Sequence, residues 1–178
     1  MSKRLGIREF NKYIRKELKK EILDRFLHYQ ILSEADLQYQ VCKLISSFLN
    51  KYDKEWMKYK VVNKPYLKGL GIHPDLVVFR REKPWVVIEL KEGKILNPKS
   101  AKKERKRLLK SRKAFSAKRG YLLYTTRYGD ERTLKGHKGK GARFFFEIPI
   151  VLETILTKER IVDWERDFRK WAKYSDER

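Results

Sequence analysis

Two apolar stretches joined by a short polar turn constrain the fold more than any other feature of this sequence. Residues 75–80 read DLVVFR and residues 85–91 read WVVIELK. Both stretches are rich in β-branched residues, which favour strands, and residues 81–84 have the polar character of a turn. The sequence therefore predicts a β-hairpin, which needs further strands beside it and helices over its apolar faces.

Helical patterns flank this hairpin on both sides. Residues 7–30 are predicted to form an amphipathic helix, and a second helix is predicted from the N-cap Ser33 to about residue 50. A basic helix is predicted over residues 99–118, with Gly120 at its end. The apolar side chains of the first helix recur at helical spacing: Ile7, Phe10, Ile14, Leu18, Ile22 and Phe26.

Further strands and the C-terminal region complete the expected order. Strands are predicted over residues 59–62 and 121–126, followed by a basic loop over 129–141, a short strand over 144–146 and helices over 149–174. The order α-α-β-β-β-α-β predicts an α/β or α+β fold with a central mixed sheet flanked by helices, and we expect the α/β class.

The chain is expected to form one domain, since no internal repeat or linker divides residues 1–178. Its expected parts are an N-terminal helical extension (1–32), a core (33–126) and a basic loop with C-terminal helices (127–178). In the last part, Ile161, Trp164, Phe168 and Trp171 recur at helical spacing. Core packing or a homodimer seam explains this stripe better than stacking on bases does.

The net charge of the chain indicates a polyanionic partner. There are 45 Lys and Arg residues against 23 Asp and Glu residues, which gives +22. Folding does not require this excess, which costs self-repulsion, so nucleic acid is the expected partner. There are two alternatives. The partner could be an anionic membrane surface, or the chain could be a basic scaffold protein within a ribonucleoprotein. Residues 94–119 alone contain twelve bases and one acid.

Residue types that bind soft metals are scarce. The single cysteine, Cys42, excludes an internal disulfide and a cysteine-based zinc site, and the histidines are His28, His73 and His137 alone. A bound metal should therefore be a hard ion held by carboxylates. Since there is no long apolar run and no signal-peptide pattern, we expect an intracellular protein without a membrane partner.

The strand over residues 85–91 combines an acid and a base on one face. Because side chains alternate along a strand, Glu89 and Lys91 are predicted to share a face with Trp85 and Val87, with their Cα atoms about 7 Å apart. If the hairpin loop has three or five residues, Asp75 lies opposite Glu89, with Cβ atoms about 5 Å apart. Two carboxylates so close repel each other unless a cation such as Mg²⁺ lies between them. A solvated ion pair on an exposed sheet is the alternative.

Pro74-Asp75 followed by Glu89-Leu90-Lys91 resembles the signature of the PD-(D/E)XK nucleases, the restriction-endonuclease-like superfamily. The αβββαβ order over roughly residues 33–126 is similar to the core of that family. The resemblance implies that Asp75 and Glu89, with the Leu90 carbonyl, bind Mg²⁺ or Mn²⁺, and that Lys91 orients or activates water. The stretches SEADLQYQVCKLI, HPDLVVF and VVIELKEG are also similar to virus-type replication-repair nucleases and to Holliday-junction resolvases.

Many members of that family also place an acid on the helix before the first strand. Glu34 and Asp36 are the candidates here, and helical geometry separates them. Glu34 lies within about 30° of the centre of the apolar stripe, whereas Asp36 points nearly opposite. Asp36 is then explained as the partner of the N-cap Ser33. We expect Glu34 to be the third acid and metal ligand, with an ordinary first-turn glutamate as the alternative.

Basic side chains after the hairpin are predicted to contact phosphates. One acid among the twelve bases of residues 94–119 cannot neutralise them through ion pairs within the helix, which favours nucleic-acid binding. The predicted contacts are Lys102, Arg105, Lys106, Lys110, Lys113, Lys138 and Lys140.

Three functions are consistent with these features. A metal-dependent DNA endonuclease, acting on junctions or flaps or in restriction, transposition or viral DNA processing, explains both the acids and the charge. A non-catalytic nucleic-acid-binding protein explains the charge but leaves the acids on apolar strands unexplained. An RNA nuclease on the same scaffold is the third possibility.

Overall fold

A five-stranded sheet forms the centre of the computed structural model, which describes residues 5–53, 58–65, 71–92, 98–127 and 145–176. Neighbouring strands follow chain order, β1-β2-β3-β4-β5. The first three strands are antiparallel, and β3, β4 and β5 are parallel. The predicted mixed sheet is therefore confirmed. Its strands are β1 (Tyr59–Asn63), β2 (Leu76–Arg80), β3 (Lys83–Lys91), β4 (Arg119–Thr126) and β5 (Phe145–Val151).

The first helix, α1, covers residues 7–27 and contains a π-helical turn at Ile14–Leu18. Its buried side chains recur every four residues, which is wider than the 3.6-residue repeat of an α-helix. In a regular α-helix, side chains spaced four residues apart would gradually rotate around the helix axis. The wider π turn reduces this rotation and keeps the side chains on one buried face. These side chains are Phe10, Ile14, Leu18, Ile22 and Phe26.

In the part of the chain that the structure describes, three more α-helices follow: α2 (Glu34–Asn50), α3 (Pro98–Ala114) and α4 (Lys158–Asp176). Helix α2 begins where the sequence predicted, since Ser33 Oγ accepts a hydrogen bond of 3.1 Å from the Asp36 amide. The predicted end of the basic helix was wrong, because α3 ends at Ala114 and Gly120 lies in β4. No helix in these parts of the chain has the length and apolar character needed to cross a membrane.

Gly120 has a packing role in β4 instead. A Cβ atom at this position would lie 2.9 Å from Cδ1 of Leu108 in α3. Such a distance is too short for two carbon atoms, so the absence of a side chain lets α3 approach the sheet closely.

The C-terminal prediction needs one correction. A short strand was expected over residues 144–146, with helix from Pro149 onward, whereas β5 continues through Pro149 to Val151. Among the described residues β5 is an edge strand of the sheet, and edge strands are where proline is tolerated within sheets. A 3₁₀ turn, Leu152–Thr154, then leads toward α4.

The sheet is covered on both faces. Helices α1 and α2 pack on one face, where Leu76, Val86 and Ile88 are buried, and α4 packs against the end of α1, with Trp164 and Phe168 beside Phe26. Leu108 of α3 and Phe115, just after the end of α3, pack on the other face against the strand residues Val77, Val87, Leu122 and Tyr124. The architecture is therefore a three-layer α/β/α arrangement.

Candidate active site

The hairpin that carries the candidate site turns through two residues. Arg81 and Glu82 both have positive φ, 48° and 62°, as in the two-residue turns that match the twist of a hairpin. Lys83 and Pro84 already belong to β3. The four-residue turn predicted over residues 81–84 was therefore too long.

A β-bulge then sets the register of the site. Close to the turn, Arg80 pairs with Lys83. Between Val78 and Phe79 the register shifts because β3 has one extra residue, and beyond this point Leu76 pairs with Ile88. Continuing this register by one residue places Asp75 opposite Glu89. Without the bulge, Asp75 would lie opposite Ile88 and its side chain would be on the other face of the sheet from Glu89.

The bulge also explains why the predicted position of Trp85 was wrong. Trp85 was expected on the face of Glu89, but it is the extra residue at the bulge, where strict alternation fails. Its ring packs on the opposite side, 5.1 Å from the ring of Phe10 and 5.8 Å from that of Tyr59, measured between centroids.

Asp75 is held in place by hydrogen bonds to its side chain and its backbone. Its Oδ2 atom accepts a hydrogen bond of 2.7 Å from the amide of Leu90. Its carbonyl accepts one of 2.9 Å from Nε2 of Gln38 in α2 and another of 2.9 Å from the Lys64 amide. Asp75 is buried, so these contacts fix the carboxylate beside the end of β3.

Glu89 is fully buried under α3. Its Oε1 accepts a hydrogen bond of 3.0 Å from Ser111 Oγ, and its Oε2 lies 3.3 Å from Nε of Arg107. Oε2 makes no hydrogen bond within the described residues. Burial first, and the adjacent Asp75 carboxylate second, raise the pKa of Glu89 to about 8, although Arg107 and Ser111 oppose the shift.

Lys91 and Glu34 lie together at the edge of the site. Nζ of Lys91 is 2.9 Å from Oε1 and 2.8 Å from Oε2 of Glu34, and both side chains are partly exposed. Asp36 has the capping role that helix phase predicted, since its Oδ2 accepts hydrogen bonds from Ser33 Oγ and from the Leu32 amide.

The predicted metal ligands are brought only partly together. Among the described residues, no three His, Cys, Asp or Glu side chains form a group that could hold a metal ion. Asp75 and Glu89 form an adjacent pair, whereas Glu34 is bound to Lys91. The Leu90 amide contacts this pair, and a role for the Leu90 carbonyl stays a prediction.

The carboxylate pair nevertheless fits a hard divalent cation. Asp75 and Glu89 are buried side by side, their like charges repel, and Glu89 keeps one oxygen without a hydrogen bond within the described residues. A cation between two such carboxylates would remove the repulsion and use the free oxygen. Mg²⁺ and Mn²⁺ therefore stay predictions that the chemistry of the pair supports.

Comparisons of the chain with protein-family models, with curated proteins and with solved structures gave no match.

Three contacts of the site were missed by the sequence reasoning. Ser111 interrupts the apolar stripe of α3 between Leu108 and Phe115, which is a signal for a buried polar contact. Gln38 follows Glu34 by one helical turn, so the two lie on the same side of α2. Nothing in the sequence distinguishes Arg107 as a contact of Glu89, because it is one of many basic residues in its helix.

The bases of α3 divide into an outer and an inner set. Lys102, Lys106, Lys110 and Lys113 are exposed, and we call them the lysine row. Arg105 turns inward instead, where its guanidinium pairs with Glu147 of β5, whose side chain is 4% exposed, with Nη2 3.0 Å from Oε2. The loop over 129–141, including Lys138 and Lys140, lies outside the described residues.

Glu89 and Glu147 lie in one row across the sheet. Glu89 pairs with Leu122 of β4, and Leu122 pairs with Glu147 of β5. Helix α3 contacts both ends of this row, through Arg107 at Glu89 and Arg105 at Glu147. The helix that carries the lysine row is thus tied by ion pairs to the face that holds the carboxylate pair.

Proposed function

We propose that this protein is a metal-dependent nuclease that hydrolyses phosphodiester bonds, with DNA as its substrate. The observation that carries the proposal is the buried Asp75–Glu89 pair under a helix with an exposed lysine row. A buried pair of like charges is costly unless it binds a cation or shares a proton. Proteins keep such pairs mostly where they have chemistry to perform.

The order of elements supports the same class of enzyme. Helix α2, strands β1 to β3, helix α3 and strand β4 follow the αβββαβ order of the restriction-endonuclease-like nucleases, which the motif at Asp75, Glu89 and Lys91 resembles. Asp75 directly precedes β2, and Glu89 and Lys91 lie on the adjacent strand β3, which is consistent with the order of residues in the motif.

Each residue of the site has a distinct task in the proposed reaction. When bound, the cation supplies Lewis-acid polarisation of a phosphate oxygen and activation of water. Asp75 and Glu89 hold it, while the Leu90 amide and Ser111 fix the orientation of the two carboxylates. Lys91 places a positive charge where negative charge develops on the phosphate.

Lys91 depends on Glu34 for its position. Both carboxylate oxygens of Glu34 accept from its ammonium group, which restricts a flexible side chain to one place beside the carboxylate pair. Glu34 is therefore proposed as a positioning residue for Lys91. As a metal ligand it would first have to leave this ion pair.

The lysine row provides the contact with the nucleic-acid backbone. Exposed lysines on one helix attract phosphates without reading sequence, and their affinity should fall steeply with salt. The row lies on the helix that covers Glu89, so a strand bound along it passes close to the carboxylate pair.

A cleavage panel tests the proposal. Linear duplex, single-stranded, flap and four-way-junction DNA, and RNA, are incubated with Mg²⁺, Mn²⁺ or EDTA. The wild-type protein should cleave DNA only with a cation. Asp75→Asn and Glu89→Gln should lower the rate at least about 100-fold, since each removes a cation ligand worth several kcal/mol in the transition state. Asp36→Asn is the matched control and should keep full activity.

Three results would contradict the proposal. Full activity of Asp75→Asn or Glu89→Gln would exclude the carboxylate pair as the active site. Cleavage of RNA alone would retain the nuclease but replace the substrate. Binding of nucleic acid without any cation-dependent cleavage would favour a non-catalytic binding protein.

A further inference from the structure

Arg107 lies between the buried carboxylate pair and the solvent. Its Nε is 3.3 Å from Oε2 of Glu89, and its Nη2 donates a hydrogen bond of 2.9 Å to the carbonyl of His73. Its side chain is 42% exposed, whereas Glu89 is fully buried. One guanidinium therefore contacts the site and solvent at once.

The contact with Glu89 is one of charge rather than of hydrogen bonding. Oε2 of Glu89 makes no hydrogen bond within the described residues, although Nε of Arg107 is close. The same oxygen is the free ligand that a divalent cation would use. Arg107 and a cation bound at Asp75 and Glu89 would thus compete for one oxygen, and their positive charges would repel each other.

The exposed part of Arg107 borders the lysine row. Arg107 follows Lys106 directly and precedes Lys110 by three residues on the same helix, which is close to one turn. A phosphate held by either lysine would be near the guanidinium. Arginine binds phosphate through two parallel hydrogen bonds, so it has a strong alternative partner there.

We propose that Arg107 changes partner during the reaction cycle: its guanidinium lies against Glu89 in the cation-free protein and contacts the substrate phosphate once a cation has replaced it. This inference rests on the proposed nuclease function and adds a substrate-contacting residue to it. A bound cation displaces Arg107 from Glu89, and a bound phosphate holds Arg107 away from Glu89. Each ligand should therefore strengthen the binding of the other.

Arg107→Gln separates the two roles because they respond in opposite directions. Mn²⁺ affinity without nucleic acid, measured by calorimetry, should rise about tenfold as the competing charge is removed. Binding of a fluorescein-labelled DNA duplex, measured by anisotropy with Ca²⁺ in place of Mg²⁺ to slow cleavage, should weaken about tenfold. Lys12→Gln removes one exposed charge from α1, across the sheet, and should change neither value.

Arg107→Lys keeps the protein testable if loss of the charge over Glu89 prevents folding. It retains the charge, so Mn²⁺ affinity should stay within about twofold of wild type. DNA binding with Ca²⁺ should weaken about fivefold, because lysine lacks the planar guanidinium group that donates two parallel hydrogen bonds to a phosphate. Thermal melting of both variants checks that they are folded.

The outcomes distinguish this inference from the proposed function. Unchanged or weaker Mn²⁺ affinity in Arg107→Gln, with wild-type binding intact, would overturn the inference alone. Failure of the wild-type protein to bind Mn²⁺, or equal binding by Glu89→Gln, would overturn the proposed function and the inference together.

Discussion

Lys91, at the end of β3, and Glu34, in the first turn of α2, form an ion pair between residues 57 positions apart in the chain. Nζ lies within 2.9 Å of both carboxylate oxygens, and the side chains are 25% and 46% exposed. Exposed pairs of this kind add less than about 1 kcal/mol to stability. The pair therefore matters more for where the ammonium group lies than for the fold.

Glu34→Gln should affect activity more than stability. The free energy of unfolding should change by less than about 1 kcal/mol, measured by urea denaturation. The single-turnover cleavage rate should fall about tenfold, because Lys91 loses the charge that positions it. Mn²⁺ affinity should stay unchanged.

Asp163→Asn is the matched control, since Asp163 forms an exposed ion pair with Arg166 on α4. It should leave the cleavage rate unaltered. Loss of Mn²⁺ affinity in Glu34→Gln would identify Glu34 as a metal ligand, as the family resemblance implies, and an unchanged cleavage rate would exclude the positioning role.

Glu89 should make the cation-free protein less stable as the pH rises. Its folded pKa of about 8 lies above its ordinary value of 4.5, so between these values the folded state holds a proton that the unfolded state has released. The contribution is complete below pH 4.5 and is lost as the pH rises through about 8. The slope is at most about 1.4 kcal/mol per pH unit.

Urea denaturation in EDTA across this pH range measures the effect. The groups that face Glu89 are Asp75 just before β2 and Arg107 and Ser111 on α3, and burial first and Asp75 second raise the pKa of Glu89. Glu89→Gln cannot ionise and should have a flatter profile. The same slope in wild type and Glu89→Gln would rule out the raised pKa.

The lysine row should account for much of the salt dependence of nucleic-acid binding. Replacing Lys102, Lys106 and Lys110 together by glutamine should make the plot of log affinity against log salt less steep by about 2 to 3, as expected for three phosphate contacts on duplex DNA. Fluorescence anisotropy at several salt concentrations measures this slope.

A triple variant of α1 controls for net charge. Lys12, Lys16 and Lys20 are exposed on the helix that packs on the opposite face of the sheet. Replacing them by glutamine removes the same charge but should leave the slope nearly unchanged. Equal effects of the two triple variants would show that binding follows overall charge rather than the lysine row.

Gly120→Ala should destabilise the protein by about 1 to 3 kcal/mol, because the new Cβ would meet Leu108 and push α3 from the sheet. Urea denaturation measures this change. Gly6→Ala, where the nearest atom is 3.9 Å away, is the control and should cost less than about 1 kcal/mol.

The double variant Gly120→Ala/Leu108→Ala tests the cause. Leu108→Ala alone should cost about 2 to 5 kcal/mol, and the pair should cost less than the sum because the alanine methyl fills part of the vacated space. Strict additivity would mean that the two positions do not compete for the same volume.

Local patterns predicted most of the elements because they depend on neighbouring residues. The N-cap at Ser33 and the helix Glu34–Asn50 follow from a capping pattern and a 3.6-residue repeat. The strand with Glu89 and Lys91 follows from β-branched residues and its position between turn signals.

Predictions that required pairing between elements were less accurate. The two-residue turn at Arg81 and Glu82 and the extra residue Trp85 depend on how β2 and β3 pack together, which neither strand specifies alone. The strand through Pro149 is formed because β4 offers a partner, and local propensity alone favours a break there.

The sequence by itself determined which groups are available: two acids and a lysine on apolar strands, and a helix of bases after them. The tertiary structure alone decided their partners. Ser111 bonds to Glu89 across 22 positions and Gln38 to Asp75 across 37, and Arg105 is paired with Glu147. Contacts over such separations depend on how closely α2 and α3 approach the sheet, and no local pattern encodes that distance.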